Sequence, residues 1–451
     1  MIRGMGRILF VQQYLGDNRE VGPIFPIGLA YLATAVKPTG WGIRVFDMNV
    51  SLHPYEELDR LVKGYRPDVI GISLRNIDNV DFDEFNYFYH EFQRMLSSLG
   101  GFDGKLVVGG AGFSIFAEEL FARHEEIDYG IVQEGEETIV ELLDHISKGQ
   151  SVDSVKGLYY RDGSHVVYTG RRRPLDFSRS PIPDRSFFQM EKYLHPLCVG
   201  VQTKRGCRLK CSYCPYPFLA KNLERFRDPL SVVDEIEQLK EKYGVSEIIF
   251  CDDIFNAPIE HAEAIIQEII RRGVKIRWSA WFDVSTTTAA FIRLAILSGC
   301  YRFCFSTEGV TDCSLQLLQK DFNSAQISRL LKICSRKEFS RVVFRFSVFA
   351  MPPGQTTWGM LKTVLFVLKT HILMKNSKCL VSWIRVLPHT KLYDSIKDEG
   401  IPLLPEELTE QAKLRLFYNS DAMSGWKVKS FRGVLVILDK IRRNLKAIHL
   451  R

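Results

Sequence analysis

Twice along its length this chain alternates short apolar runs with amphipathic helical stretches, which limits it to α/β architectures with covered sheets. The first series is RILFVQQ, GIRVFDMN, DVIGISLR and KLVVGG, with DYGIVQEG as a shorter fifth member; segments such as PIGLAYLATAVK lie between them. Strands that are nearly all apolar are buried on both faces, so a parallel sheet with helices on each side is expected. The second series is LCVGVQT, SEIIFCDD, KIRWSAWF, RFCFSTEG, VVFRFSVFAM and CLVSWIRVLP. At 451 residues, 46% hydrophobic and 25% charged, the chain has room for two or three domains with real cores. The expected organisation is a Rossmann-like domain over 1–150, a hairpin (GLYYRDGSHVVYTG) and linker over 151–196, a second α/β domain over 197–400 and a helical extension over 401–451.

Where the second series begins, QTKRGCRLKCSYCPYP carries Cys207, Cys211 and Cys214 with C-x3-C-x2-C spacing. Three thiolates on one short loop can hold three irons of an iron–sulfur cube and leave the fourth without a protein ligand. A structural zinc site also gathers cysteines, but it takes four ligands, usually from two C-x2-C knuckles, and no second knuckle follows. All ten cysteines lie between Cys198 and Cys379, which suits a reduced compartment better than a disulfide framework. Cys251, Cys300, Cys304, Cys313, Cys334 and Cys379 mostly sit in apolar strand-like or helical surroundings and read as buried structural thiols. One cluster is expected.

The opening stretch MIRGMGRILFVQQYLG has no apolar run long enough for a signal peptide, and no window of about 18 uncharged apolar residues occurs, so the expected location is cytoplasmic. A net charge of +7 is modest for this length and does not point to nucleic acid. Towards the end, Lys427, Lys429, Arg432, Lys440, Arg442, Arg443, Lys446 and Arg451 face a single acid, Asp439. Val434, Leu438, Ile441, Leu445 and Ile448 keep helical spacing among them. Such a helix either packs on the body with its charges in water or makes peripheral contact with an anionic membrane.

With Tyr213 as the aromatic before its last cysteine, the triplet resembles the signature loop of the radical S-adenosylmethionine (SAM) enzymes. The resemblance implies a partial (β/α)6 barrel built from the second strand series. It implies a 4Fe–4S cluster on Cys207, Cys211 and Cys214, SAM chelating the open iron, and reductive cleavage of SAM to methionine and a 5′-deoxyadenosyl radical. It puts SAM's amino group near Asp252 and Asp253, where CDD replaces the family's usual Gly-Gly-Glu. Glu308, in FSTEG, falls where the family binds SAM's ribose or methionine part. Tyr213 and the Pro353–Gly354 turn of MPPGQT fall beside adenine.

In the first 150 residues, Gly109, Gly110 and Gly112 end one strand, and Gln133, Glu134, Gly135 and Glu136 end the next, where open α/β sheets bind ligands. No G-x-G-x-x-G opens the first helix, so a nicotinamide dinucleotide is not implied. Ahead of the cluster loop, GLAYLATAV, GISLRN, VVGG and QEGEET resemble the cobalamin-binding domain of the B12-dependent radical SAM subfamily. The D-x-H-x-x-G motif is absent and no histidine precedes His53, which implies base-off cobalamin with no histidine on cobalt. Arg75, ending GISLR, is expected beside the lower corrin face, since a guanidinium has no lone pair with which to coordinate cobalt; its alternative is a pair with Asp78 or with a corrin carboxamide. Gly109, Gly110, Glu134 and Gly135 are the other residues expected to bind this cofactor. Methylthiotransferases, a related family, carry three cysteines in their α/β domain, whereas this chain has none before Cys198.

The resemblance implies a methyltransferase acting on an unactivated carbon. A non-methylating rearrangement or cyclisation is the alternative, and a non-enzymatic cobalamin- or zinc-binding protein the third reading. An electron donor such as a flavodoxin or ferredoxin is expected; Lys204, Arg205, Arg208 and Lys210 suit an acidic donor or a solvated loop. The substrate, a small molecule or a lipid, is named by no residue pattern, and IPLLPEELTEQAKLRLFYNSDAMSGW is expected to cap the barrel mouth.

Overall fold

A computed structural model describes residues 6–16, 23–374, 376–397, 400, 402–418, 425–426, 428–435 and 437. Most of the basic terminal run lies outside the described residues. The chain divides into two compact units, the first comprising Met1–Asn79, Asn86–Gly206 and Phe218–Ile248, the second Val80–Phe85, Cys207–Pro217 and Ile249–Arg451.

In the first unit, β1 (Arg7–Gln12), β2 (Gly42–Asp47), β3 (Val69–Ser73), β4 (Lys105–Gly109) and β5 (Tyr129–Ile131) are parallel in the order β2-β1-β3-β4-β5. Five of the six residues of β1 are buried, as a strand covered on both faces requires. Leu29, Ala33 and Val36 of the helix Ile27–Val36 share one core with Ile139, Leu142 and Leu143 of the helix Glu136–Lys148 and with Ile8, Phe10 and Val107 of the sheet. The second of these helices carries Glu136 and Glu137 in its first turn and Lys148 in its last, complementing its dipole. Gly149 ends it in the left-handed region.

Two expectations for residues 151–196 are corrected. The hairpin of β6 (Leu158–Asp162) and β7 (His165–Tyr168) is no separate linker: β6 pairs antiparallel with β5 and extends the sheet to seven strands. It covers an edge that the three-residue β5 would otherwise present to solvent. Nor is the Arg- and Pro-rich stretch after the hairpin a free linker. Its Arg185 is buried and donates to Glu235 Oε1 at 2.6 Å and to the Gly200 carbonyl at 3.0 Å. The other Glu235 oxygen accepts from Arg227, equally buried. Glu235 sits on the helix Pro229–Tyr243, whose first turn is capped by Asp228.

β8 (Gly200–Val201), β9 (Lys204–Arg205) and β10 (Arg225–Phe226) are two-residue strands, the last two paired antiparallel. With β11 (Glu247–Phe250), β12 (Arg277–Phe282), β13 (Cys300–Glu308), β14 (Val343–Phe349) and β15 (Lys378–Ser382), β8 makes a six-stranded sheet in the order β15-β14-β13-β12-β11-β8. All six predicted strands are present in sequential order, the first shortened to two residues. β12 to β15 pair in parallel.

One face of this sheet is aromatic. Phe282 and Phe303 stand 4.7 Å apart by ring centroid, Phe305 and Phe346 5.5 Å, and Phe346 meets Phe366 of the helix Thr357–Leu373 at 5.8 Å. That face packs on helices. Strand periodicity therefore puts Ser279, Trp281, Arg302, Cys304, Ser306, Arg345 and Ser347 on the other, lumenal face.

Glu235→Ala leaves two buried guanidiniums without their carboxylate and is expected to cost about 3–5 kcal/mol, read as a lowered urea midpoint. An unchanged midpoint removes Glu235 as the anchor of the connector.

Candidate active site

The cysteine loop springs from β9 and returns into β10. Gly206 opens it at φ +94°, and a Cβ there would lie 2.2 Å from the Leu223 carbonyl oxygen, so only glycine lets the two ends of the loop approach. Both strands are held by buried carboxylates. Glu134 accepts from Arg225 at 2.6 and 2.8 Å and from Arg205 at 3.3 Å, with Lys221 at 3.7 Å; Arg205 also donates to Glu136 at 2.6 Å. These cations outweigh the burial that would raise it, holding the Glu134 carboxyl below its usual range. Lys204 is buried and donates to Glu224 at 2.9 Å. Lys204 and Arg205 are therefore internal, which corrects their reading as a docking surface, whereas Arg208 and Lys210 are exposed.

Within the loop, the Cys214 N–H donates to the Cys211 carbonyl at 3.2 Å. Burial pushes the Cys214 thiol up, and the charges of Cys211, Asp253 and Cys207 push it further, against a hydrogen bond from the Tyr216 backbone. All three thiols thus stand within each other's field, with a carboxylate beside them. Among the described residues no three His, Cys, Asp or Glu side chains close on a single point as ligands of one ion would. A cube asks for a different arrangement, each thiolate taking its own iron. Ser212 ties the loop down through Ser212 N–H to the Leu318 carbonyl at 3.0 Å and Leu392 N–H to the Ser212 carbonyl at 2.8 Å.

Strand ends of the second unit surround the loop with carboxylates. Asp252 is buried and Asp253 half-buried directly after β11. Glu308, 5% exposed, ends β13 at φ +61°, after a register shift between Ser306 and Glu308. A non-glycine residue in the left-handed region costs of order 1–3 kcal/mol and persists where surroundings impose it, often at functional sites. Burial pushes the Glu308 carboxyl up, opposed by Lys320 and by the Ser306 and Ser347 hydroxyls. Its Oε2 is buried without a hydrogen-bond partner, an acceptor waiting for a ligand donor. SAM, with its ammonium and ribose hydroxyls, fits that vacancy in chemistry.

Tyr213 lies at the foot of this arrangement. Its ring meets Phe349 edge-on at 4.9 Å and packs with Leu318, Ile384 and Leu392; Lys320 Nζ donates to its hydroxyl at 3.0 Å and to the Ser306 carbonyl at 3.2 Å. Pro353 is buried, and a Cβ on Gly354 would come within 2.7 Å of Leu317 and 2.9 Å of Cys313 Sγ, so that turn is glycine because the neighbouring helix leaves no room. Two residues escape the sequence reading. Lys320 has no local signal; Asp283, directly after β12, had one in WFDV, a carboxylate ending an apolar strand. Asp283 Oδ2 accepts from Thr286 N–H at 2.9 Å while Oδ1 is buried without a partner. Cys251 and Cys313 are exposed, a correction to their reading as buried thiols: each falls just outside the strand series, in a turn after β11 and on a surface helix.

At the first unit's strand ends the glycines serve the protein itself. A Cβ on Gly110, at φ +103°, would lie 2.6 Å from the Leu74 carbonyl, and one on Gly112 3.0 Å from Asn76 N. The close approach they permit is that of the β3 loop, not of an outside group. Gly109 meets only the Ile131 carbonyl at 3.4 Å, and Gly135 packs on Leu32 and Ile131. The β3 loop they support exposes Arg75 and Asn76. His53 starts a helix at the surface. A carboxamide-rimmed ligand such as cobalamin fits an edge that offers exposed donors.

A loop of three thiols thus precedes all but the first strand of a sequentially ordered sheet and follows a parallel α/β domain. Residues 20–143 match the family described as B12 binding domain and residues 201–366 the Radical SAM superfamily. With these two domains the chain belongs to the cobalamin-dependent radical SAM enzymes. It is similar to an uncharacterized methyltransferase of Pyrococcus horikoshii, 27% identical over 307 residues, which cover 67% of this chain and 64% of that protein. It is also similar to an anaerobic magnesium-protoporphyrin IX monomethyl ester cyclase of Cereibacter sphaeroides, 24% identical over 72% of this chain and 54% of the cyclase. The chain thus spans less than two thirds of either relative. The radical SAM methyltransferase TsrM of Kitasatospora setae, solved with cobalamin and a 4Fe–4S cluster bound, superposes with a TM-score of 0.76 at 22% identity over 88% of this chain and 75% of its own. That likeness shows a common fold.

Gly206→Ala, forced against Leu223, is expected to lose about 2 kcal/mol or more and to take up little iron on reconstitution. A folded variant with normal iron content removes the close approach as the determinant of loop geometry.

Proposed function

We propose that this protein is a methyltransferase acting on an unactivated carbon of an organic substrate, using a 4Fe–4S cluster, SAM and base-off cobalamin. The observation that carries the reading is a loop of three thiols whose neighbours include the strand-end carboxylate Asp253, with Tyr213 of the same loop lying in the field of Glu308. Cys207, Cys211 and Cys214 would hold the cluster. Asp252, Asp253 and Glu308 would bind SAM, with Tyr213, Pro353 and Gly354 near its adenine. Arg75, with the Gly109–Gly112 backbone beneath its loop, would meet a cobalamin that takes no histidine. Glu134 and Gly135 act at one remove, by holding β9 and β10. Residues 1–150 form the cobalamin domain, 151–196 its hairpin and connector, 197–400 the barrel and 401–451 its extension. When bound, these groups supply one-electron reduction, hydrogen abstraction and methyl delivery.

The chain's own part is positioning and exclusion of water. Lys320 fixes the Tyr213 hydroxyl; Phe349, Leu318 and Ile384 keep that corner dry; Glu308 Oε2 offers an acceptor that strengthens as water leaves. An acidic electron donor such as a flavodoxin docks at the exposed Arg208 and Lys210.

Anaerobic reconstitution is expected to give about four irons and one base-off corrinoid per chain. Cys211→Ala is expected to lose the brown absorbance and SAM cleavage together, and intact absorbance in it refutes the ligand assignment. Label from methyl-labelled SAM is expected in the product. The cyclase relative favours a second reading, ring closure, and product free of label decides for it.

No helix among the described residues is long and apolar enough to cross a membrane. Peripheral contact with an anionic membrane would run through the basic terminal run, most of which lies outside the described residues. The protein is expected to float with phosphatidylglycerol vesicles and not with phosphatidylcholine alone; flotation with neither overturns this contact.

A further inference from the structure

Arg302 on β13 and Arg345 on β14 share the lumenal face of the second sheet. In register, Cys304 stands opposite Arg345, and Arg302 lies one step along the same face. Burying a guanidinium is expensive unless a carboxylate meets it. Several guanidiniums of this chain are met in that way: Arg185 and Arg227 share Glu235, and Arg205 and Arg225 share Glu134. Arg302 and Arg345 are half-buried and have no such carboxylate among the described residues. Both have a buried Nε without a hydrogen-bond partner, and neither makes an ion pair among the described residues. Arg302 meets only neutral partners: Ser279 Oγ is 3.5 Å from its Nη2, and the Cys304 side chain hydrogen-bonds to it. Burial depresses Arg345, Cys304 opposes this, and Arg302 depresses it further; no carboxylate enters the balance.

The same face continues to the site described above. From Cys304 through Ser306 to Glu308, with Ser347 on the neighbouring strand, runs a polar track. Glu308 lies four steps along the strand from the Cys304–Arg345 row, a distance of about 13 Å at 3.3 Å per residue. Arginine forks match oxyanions that offer two oxygens at once.

We propose that Arg302 and Arg345 form a subsite for an oxyanion, a carboxylate or a phosphate, carried by the substrate about 13 Å along the strand from Glu308. The subsite rests on the enzymatic reading for its purpose and on two guanidiniums without a counter-ion on one sheet face for its existence. It selects anionic substrates and orients them along the lumen, anion inward, with the reacting carbon towards Glu308.

The test is thermal melting of the reconstituted protein titrated with inorganic phosphate and, separately, with succinate, at ionic strength held constant with chloride. The wild type is expected to gain about 3 °C or more, the more effective anion naming the group. Arg345→Met is expected to lose that gain and, without anion, to melt above the wild type, because a half-buried charge without a counter-ion is gone. Arg345→Lys restores part of the response. Phenylglyoxal labelling of wild-type Arg302 and Arg345, mapped by mass spectrometry and slowed roughly tenfold by the effective anion, supplies a readout that needs no variant. Arg345→Met melting below the wild type with an unchanged anion response overturns the proposal, as does labelling at both arginines that no anion slows. Neither readout needs SAM or corrinoid. Failed cofactor uptake with an intact anion response therefore refutes the enzymatic reading alone, and normal uptake with no anion response refutes the subsite alone.

Discussion

Two buried carboxylates, Glu134 and Glu235, hold everything from which the cysteine loop is hung. Glu134 receives Arg205 of β9 and Arg225 of β10, while Glu235 receives Arg227 just beyond β10 and Arg185 of the connector. Such clusters are weak sources of net stability, because desolvating the charges consumes most of what their attraction returns. Their effect is geometric. Each carboxylate fixes the direction of the guanidiniums that reach it, so the two-residue strands β9 and β10, too short to hold a register by themselves, are fixed at both ends of the loop.

From that frame the chain can afford strain where chemistry needs it. Gly206 enters the loop in a conformation and at a distance no side chain tolerates. Glu308 leaves β13 with a positive φ and an oxygen that nothing in the protein satisfies, and Asp283 has a second such oxygen. Unsatisfied buried acceptors at the carboxyl ends of two neighbouring strands are costly in the empty fold. They become favourable when ligand donors arrive, which is how a site is made ready before its ligand binds.

The second sheet divides its labour by face. Phenylalanines and tryptophan on one side lock the strands to the outer helices through ring contacts, leaving the other side free to carry serines, a thiol and arginines. A lumen of that polarity does not fold for its own stability. Its cost is borne by the aromatic face behind it.

Much of this was legible in the sequence because it is written in local patterns. Both strand series followed from apolar runs, the cluster loop from three cysteines on one short segment, and Glu308 and Asp253 from carboxylates that end apolar strands. What escaped depends on groups far apart in the chain. Glu134 reads as a ligand residue at a strand end until Arg225, 91 residues away, takes its oxygens. Gly110 and Gly112 read as room for a cofactor until the Leu74–Asn76 backbone fills that room. Lys320 and the unpaired state of Arg345 have no local signal at all. By itself the sequence determined the order of elements and the gathering of three thiols on one short loop, since periodicity and thiol spacing act over a few residues. Only the tertiary structure decided which charges are spent on holding the fold and which remain for a ligand, because a buried charge is defined by the partner that comes to it through space.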